Sequence, residues 1–294
     1  MMGRLLVALL LGLCASLAWA LEVVATTASM GMLVRTVGGP QVRVTVLAPP
    51  DRDPHQLQAK PSMMRALRDA DLLVAVGAEL EAGWLPAALD GAANPRLLPG
   101  RIGYFEAAAQ VPLIDAGQPA DRARGDVHPA GNPHVHLDPV RMSTIARALA
   151  ERLARLEPAR AAEYRARAEA FARTVQARLP AWRAQVAGSA GAVLYHKDGV
   201  YLLERLGLPL LGTLEPIPGV PPTARHLQGL IERLQGRKGV VLYHAYQPAQ
   251  GPQRVAEALG WPVQVVPMEP PADADADGYL RLIDQWVAAL ALAR

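Results

Sequence analysis

Along the chain, apolar positions change their period in a regular order. Glu22–Thr27 is a short β-branched run that reads as a first strand. From Ser29 to Val37 the spacing turns helical, and Gly38-Gly39-Pro40 stops it. Val42–Leu47 (VRVTVL) alternates cleanly, as a second strand does. A loop rich in Pro and Asp, 48–60, leads to Pro61, which suits the first turn of a helix reaching about Asp69. Leu72–Val76 is continuously apolar, the pattern of a strand buried on both faces. Strand, helix, strand, helix, strand predicts a parallel α/β layer.

Residues 115–133 form a loop of Gly, Pro, Asp and Arg. Pro139–Leu156 is helical, with Met142, Ile145, Leu149, Leu153 and Leu156 on one stripe. Pro158 opens a longer helix in which Tyr164, Ala168, Phe171, Val175, Leu179, Trp182 and Val186 recur at spacings of three and four. A helix of this length reaches roughly 40 Å. That suits a strut between two lobes, although Pro180 is expected to kink it or end it early. A second α/β series follows from Gly191. Its strand-like runs are Ala192–Tyr195, Pro209–Leu214, Val240–Tyr243 and Val263–Val266, with helical stretches Val200–Leu206, Thr223–Leu234, Pro248–Leu259 and Tyr279–Leu292 between and after them. The fold class is therefore α/β. Two α/β lobes, 21–157 and 188–294, are joined by a long rigid helix over 158–187.

Composition narrows the picture. The 294 residues are 51% hydrophobic and 19% charged. The one segment approaching membrane length is the N-terminal stretch. Arg4, the apolar Leu5–Leu13 run and Ala18-Trp19-Ala20 together read as a signal peptide over 1–20, removed on export. Its apolar core is too short to span a bilayer, so no stable membrane insertion is expected. Cys14 is the only cysteine. Leu13 stands before it where a lipidated cysteine usually follows a small residue, so a lipid anchor at Cys14 is not expected. A single cysteine also excludes a disulfide framework and a cysteine zinc site. Basic and acidic residues number 30 and 27, with Arg scattered along helices, so no nucleic-acid partner is implied.

The candidate chemistry lies in seven histidines: His55, His128, His134, His136, His196, His226 and His244. His55 follows the second strand, while His196 and His244 directly end strands of the second lobe. Ligands of open parallel sheets bind outside the carboxyl ends of strands, so histidines from both halves can converge on one cleft. His134 and His136, two apart, face the same side of an extended segment. His226, early in an amphipathic helix, reads as surface, and His128, in a Gly/Pro loop, as unligated. Three neutral imidazoles from distant segments suit Zn²⁺ better than the oxygen-seeking Ca²⁺ or Mg²⁺. The run Ala272–Gly278 (ADADADG) echoes a calcium loop, but Asp284 stands where the closing glutamate belongs, and a solvated loop is expected.

Several motifs carry a resemblance. Asp53-Pro54-His55, Asn132-Pro133-His134-Val135-His136-Leu137-Asp138-Pro139, Tyr195-His196-Lys197 and the loop Glu215-Pro216-Ile217-Pro218-Gly219-Val220-Pro221-Pro222 follow in order after a first strand VVATT at 23–27. Together they resemble the periplasmic zinc/manganese-type solute-binding proteins of bacterial ABC importers, the cluster A-I family. The resemblance spans essentially the whole chain after the leader. It implies two α/β lobes, a rigid connecting helix and one metal in the cleft between the lobes. Carried over by motif, the metal ligands are His55, His134 and His196. His136 falls where relatives often have Trp, which implies packing beside the metal. The fourth ligand stays open between Glu269, a water and another group, because the last strand runs into Pro267-Met268-Glu269 where many relatives bring an acidic residue. His244, where relatives often have Glu, reads as a supporting or adventitious ligand.

The expected function is capture of zinc in the periplasm, as cargo and not as a catalytic cofactor. Delivery would be to an ABC transporter membrane permease with its ATPase, by a monomeric, non-enzymatic protein. A manganese or iron carrier of the same fold is the nearest alternative. A zinc hydrolase is the distant one: HVHLD at 134–138 is followed by Pro139 where those enzymes need a further histidine, and no HExxH occurs.

Overall fold

The computed structural model describes residues 20–117, 125 and 128–294. The leader read over 1–20, with Cys14, lies outside the described residues except for Ala20. Among the described residues no helix is long and apolar enough to cross a membrane.

The first lobe holds strands β1 (Leu21–Ala25), β2 (Val42–Val46), β3 (Leu72–Ala75) and β4 (Tyr104–Glu106), all parallel, in spatial order β2-β1-β3-β4. Its helices are α1 (Ala28–Gly38), α2 (Pro61–Arg68), α3 (Leu85–Ala92) and α4 (Pro139–Leu156). The second lobe repeats the topology. Its strands β5 (Ala192–Leu194), β6 (Leu210–Thr213), β7 (Val240–Tyr243) and β8 (Val263–Val265) are parallel, in order β6-β5-β7-β8. Its helices are α6 (Val200–Leu206), α7 (Ala224–Leu234), α8 (Gln250–Leu259) and α9 (Ala276–Leu290). In each sheet the chain steps outward once and then returns past its first strand. The point of return opens a crevice at the carboxyl ends of the strands, where ligands of such sheets sit.

Central strands are buried on both faces, as the apolar run in β3 requires. Edge strand β2 alternates instead, with Arg43 and Thr45 facing outward. Two elements escaped the sequence pattern. They are strand β4, three residues long, and helix α3, eight residues long.

Helix α5 (Ala161–Gln185) joins the lobes and spans about 37 Å at 1.5 Å per residue. It begins after a 3₁₀ turn at Pro158–Arg160. Its buried face packs on α4, α1 and α9. The helix runs through Pro180, contrary to the early end expected from the sequence. Anchors on both sides explain this. Leu179 and Trp182 are buried, and Arg178 and Trp182 both donate to the Asp284 carboxylate at 2.7 Å. Burying two large side chains at about 1.5–3 kcal/mol each offsets the cost of the proline. The acidic run before α9 has a local role: the Asp275 side chain accepts from Gly278 N at 3.0 Å and caps that helix.

Candidate metal centre

Three loops bring histidines to one place, and each loop is held by its own chemistry. After β2, the Asp53 side chain accepts from the backbone N–H of His55 at 2.9 Å and so starts the 3₁₀ turn Pro54–Gln56. Trp84 Nε1 donates to the Pro54 carbonyl at 2.9 Å and fixes the loop to α3. The Asn132 side chain does the same for His134, accepting its N–H at 2.9 Å. A 3₁₀ turn, Val135–Leu137, then leads to Asp138, which caps α4. His196 follows β5 and Tyr195 at the carboxyl edge of the second sheet.

The ligand atoms of His55, His134 and His196 all lie within 4.8 Å of one another. The Nε2 atoms of His134 and His196 are 3.3 Å apart. Two nitrogens on a tetrahedral zinc, each about 2.0–2.1 Å from the metal, are about 3.3–3.4 Å apart. The cleft around them measures about 700 Å³ and is shared by Asp53, Glu215, Tyr246 and Met268.

Carboxylates set the tautomers of two of the three rings. Asp53 Oδ1 lies 2.8 Å from His55 Nδ1, and Glu215 Oε2 lies 2.8 Å from His196 Nδ1. An ionised carboxylate can only accept, so each Nδ1 carries the proton and each Nε2 lone pair points at the cleft. His134 has no such partner, and its Nδ1 is buried without a hydrogen bond. Burial first, then the neighbouring imidazoles, hold the pKa of His134 well below the usual histidine range, so it stays neutral. Burial also works against charge on His196. The hydrogen bond that His196 donates to Glu215 and the fields of Asp198, Glu215 and Asp53 outweigh it and raise the pKa.

The fold has relatives. The family model described as zinc-uptake complex component A, periplasmic (ZnuA), matches residues 23–293. The chain belongs to that family. Its members are periplasmic metal-binding components of uptake systems. The protein is similar in structure to ZnuA itself, with a TM-score of 0.74 and 21% identity over 93% of this chain and 99% of that one. It is also similar to the substrate-binding protein FpvC of Pseudomonas aeruginosa, solved with Mn²⁺ (TM-score 0.75, 22% identity, 93% and 97% of the two chains). A third likeness is to the laminin-binding adhesin Lmb of Streptococcus agalactiae (TM-score 0.75, 20% identity, 93% and 100%). At these identities the likeness is one of fold. No curated protein matches the chain.

The other residues singled out in the sequence fall into place around the three rings. His136 is buried and bonds away from the cleft centre, its Nε2 donating to the Met268 carbonyl at 3.0 Å. Glu269 lies outside the three-histidine group. Its Oε2 accepts from Ser29 N at 2.6 Å, and its Oε1 accepts from Ser29 Oγ at 3.1 Å. His244 is buried, with Nε2 2.7 Å from Asp198 Oδ2 and Nδ1 2.8 Å from the Val266 carbonyl. His226 Nε2 bonds the Thr213 carbonyl at 2.9 Å. His128, read from the sequence as unligated, brings its Nε2 to 3.2 Å from His55 Nε2. Glu215 was legible only as part of a loop motif. Its role beside His196 depends on β5 and β6 being neighbours, which no local pattern states.

Proposed function

We propose that the protein captures Zn²⁺ through His55, His134 and His196 and delivers it to the membrane permease of an ABC importer. The observation that carries this reading is the His134–His196 Nε2 separation of 3.3 Å within a three-imidazole cluster, the edge length of a tetrahedral zinc site. A donor set of neutral nitrogens suits zinc better than manganese, which favours oxygen. The fourth position is open to His128, Glu269 or a water: His128 Nε2 is 3.2 Å from His55 Nε2 but lies outside the mutually close three-histidine group, and both Glu269 oxygens are engaged at Ser29. The metal is cargo: a ligand that prefers the native state stabilises it, and no turnover is required. Membership of a family of uptake components supports the permease as partner.

The test is metal content and competitive titration of the chain without its leader, beside His55→Ala, His134→Ala and His196→Ala. One zinc per chain, weakened in each variant, is the expected result. Zinc that survives all three changes overturns the ligand set. Tighter retention of manganese or nickel than of zinc overturns the choice of cargo, and His128→Ala reports on the fourth position.

A further inference from the structure

Two of the three site histidines are oriented by carboxylates, but the carboxylates differ in origin. Asp53 lies two residues from His55 and belongs to the same turn. Glu215 comes from another strand end, nineteen residues from His196. The same oxygen of Glu215 that faces His196 Nδ1 at 2.8 Å also accepts from Gly219 N at 3.0 Å. Gly219 sits at φ +78°, the left-handed conformation that brings its N–H back over the loop, and Val220 N closes the turn on the Ile217 carbonyl at 2.9 Å. The backbone of Glu215 is fixed independently, since its N–H bonds the Tyr195 carbonyl at 3.1 Å and its carbonyl takes Thr213 Oγ1 at 2.8 Å. The side chain is therefore held at its root by the sheet and at its tip by the proline-rich turn 215–222. Gly219 and Pro221 of that turn line the histidine cleft.

We infer that Glu215 is a positioning residue that makes the aim of His196 depend on the folded state of the Glu215–Pro222 turn. The inference rests on the reading of His196 as a metal ligand. Glu215 holds the proton on Nδ1, leaves the Nε2 lone pair facing His134, and fixes the ring plane. The turn holds Glu215. A partner that moves the turn thereby loosens one ligand without touching the metal.

With seven histidines in the chain, ¹⁵N-histidine labelling resolves the ring nitrogens individually. In the metal-free wild type, His196 is expected as a single Nδ1–H tautomer. In Glu215→Ala it is expected to average between tautomers, while His55, held by Asp53, is unchanged. Zinc binding to the same variant, titrated with zinc alone against a chromophoric chelator, should weaken about 10- to 100-fold, the usual effect of losing the group behind a ligating histidine. A tautomer and an affinity equal to wild type overturn the proposal, whatever the variant does to stability. Should Glu215→Ala fail to fold, Glu215→Gln carries the test. Its amide oxygen can accept from both N–H groups as the Glu215 oxygen does, but without the charge that strengthens both bonds, so a partial loss is expected, and wild-type behaviour overturns the proposal. Gly219→Ala puts a side chain at φ +78°. It should weaken zinc binding with every ligand intact, and unchanged affinity there overturns the part played by the turn. If the wild type itself holds no zinc, the proposed function fails, while the His196 tautomer in the metal-free protein still decides the role of Glu215.

Discussion

Glu269, in the loop after the last strand of the second lobe, caps the first turn of helix α1 in the first lobe through Ser29. The carboxylate meets the Ser29 N–H at 2.6 Å, where the unsatisfied amides of a helix start favour negative charge. The contact belongs to a longer seam. Every second residue of the 132–138 segment bonds the second lobe. Asn132 Nδ2 donates to the Lys197 carbonyl at 2.6 Å, His134 meets His196, His136 donates to the Met268 carbonyl at 3.0 Å, and Asp138 receives Arg205 at 2.8 and 3.0 Å. The segment that supplies His134 is thus also a join between the lobes.

Replacing Glu269 by Gln should therefore act on stability and not on metal. Loss of the charge-assisted bonds at Ser29 is expected to lower the unfolding free energy of the metal-free protein by about 1–3 kcal/mol. Zinc affinity should stay that of the wild type. Urea unfolding and a zinc titration on the same preparation check both halves. A collapse of affinity with stability intact would make Glu269 a ligand.

His134 and His136 offer a contrast between near neighbours. His134→Ala should abolish tight zinc binding, and in the metal-free fold it also removes a buried ring and its 3.3 Å contact with His196. His136→Ala should keep the metal but leave the Met268 carbonyl unpaired in a buried place, lowering stability by about 1–3 kcal/mol. Equal effects of the two changes on zinc affinity would contradict this division.

Much of this was legible in the sequence for physical reasons. Seven of the eight strands show in β-branched or apolar runs, β4 being the exception; the central ones are continuous because strands buried on two faces tolerate little else. His55, His134 and His196 stand out because short polar motifs fix them directly after or between such runs. What was not legible depends on distance in the fold. The partnership of Glu269 with Ser29 joins residues 240 apart, and that of His136 with Met268 joins residues 132 apart. Neither leaves a local pattern, and the sequence alone offered Glu269 only as one candidate for the fourth ligand. His128 gave no signal either, since its loop has no period. Pro180 misled in the opposite sense: its local preference is real, but the anchoring of Trp182 and Arg178 on Asp284 outweighs it.

Metal affinity should depend on pH through His196 before His134. Zinc needs the neutral ring, and the pKa of His196 is raised because Glu215, Asp198 and Asp53 together outweigh its burial. Protons therefore begin to compete above the usual histidine range. Affinity should fall about tenfold per pH unit once the solution is more acidic than that raised value. His134, kept neutral by burial and by its neighbours, adds its own loss only in stronger acid. Competitive titrations from pH 8 down to 5.5 test this, and an affinity flat across that range would contradict it.

His244 and Asp198 form a buried pair whose stability effect has a definite sign. Both ring nitrogens face acceptors, Asp198 at 2.7 Å and the Val266 carbonyl at 2.8 Å, so the ring is held as the imidazolium. Burial opposes that charge, but the field of Asp198 and the two hydrogen bonds prevail, and the His244 pKa is raised. Asp198 is lowered in turn: burial acts against it, while the charge of His244 and their hydrogen bond prevail. A raised histidine stabilises fully below its unfolded value near 6.5 and loses that contribution as pH climbs through the folded value. A lowered aspartate stabilises fully above about 3.9 and loses it as pH falls through its own folded value. The pair is therefore at full strength between about pH 4 and 6.5 and weakens on the alkaline side. His244→Phe leaves Asp198 buried without its counter-charge, its remaining bond being the one from Gly199 N at 2.6 Å, a change that should cost about 3–5 kcal/mol in that window. With metal chelated, urea unfolding of wild type and variant from pH 5.5 to 9 should show the gap narrowing as pH rises. A gap that holds constant to pH 9 would mean that the ring is neutral throughout, and that Asp198 binds it by an ordinary hydrogen bond.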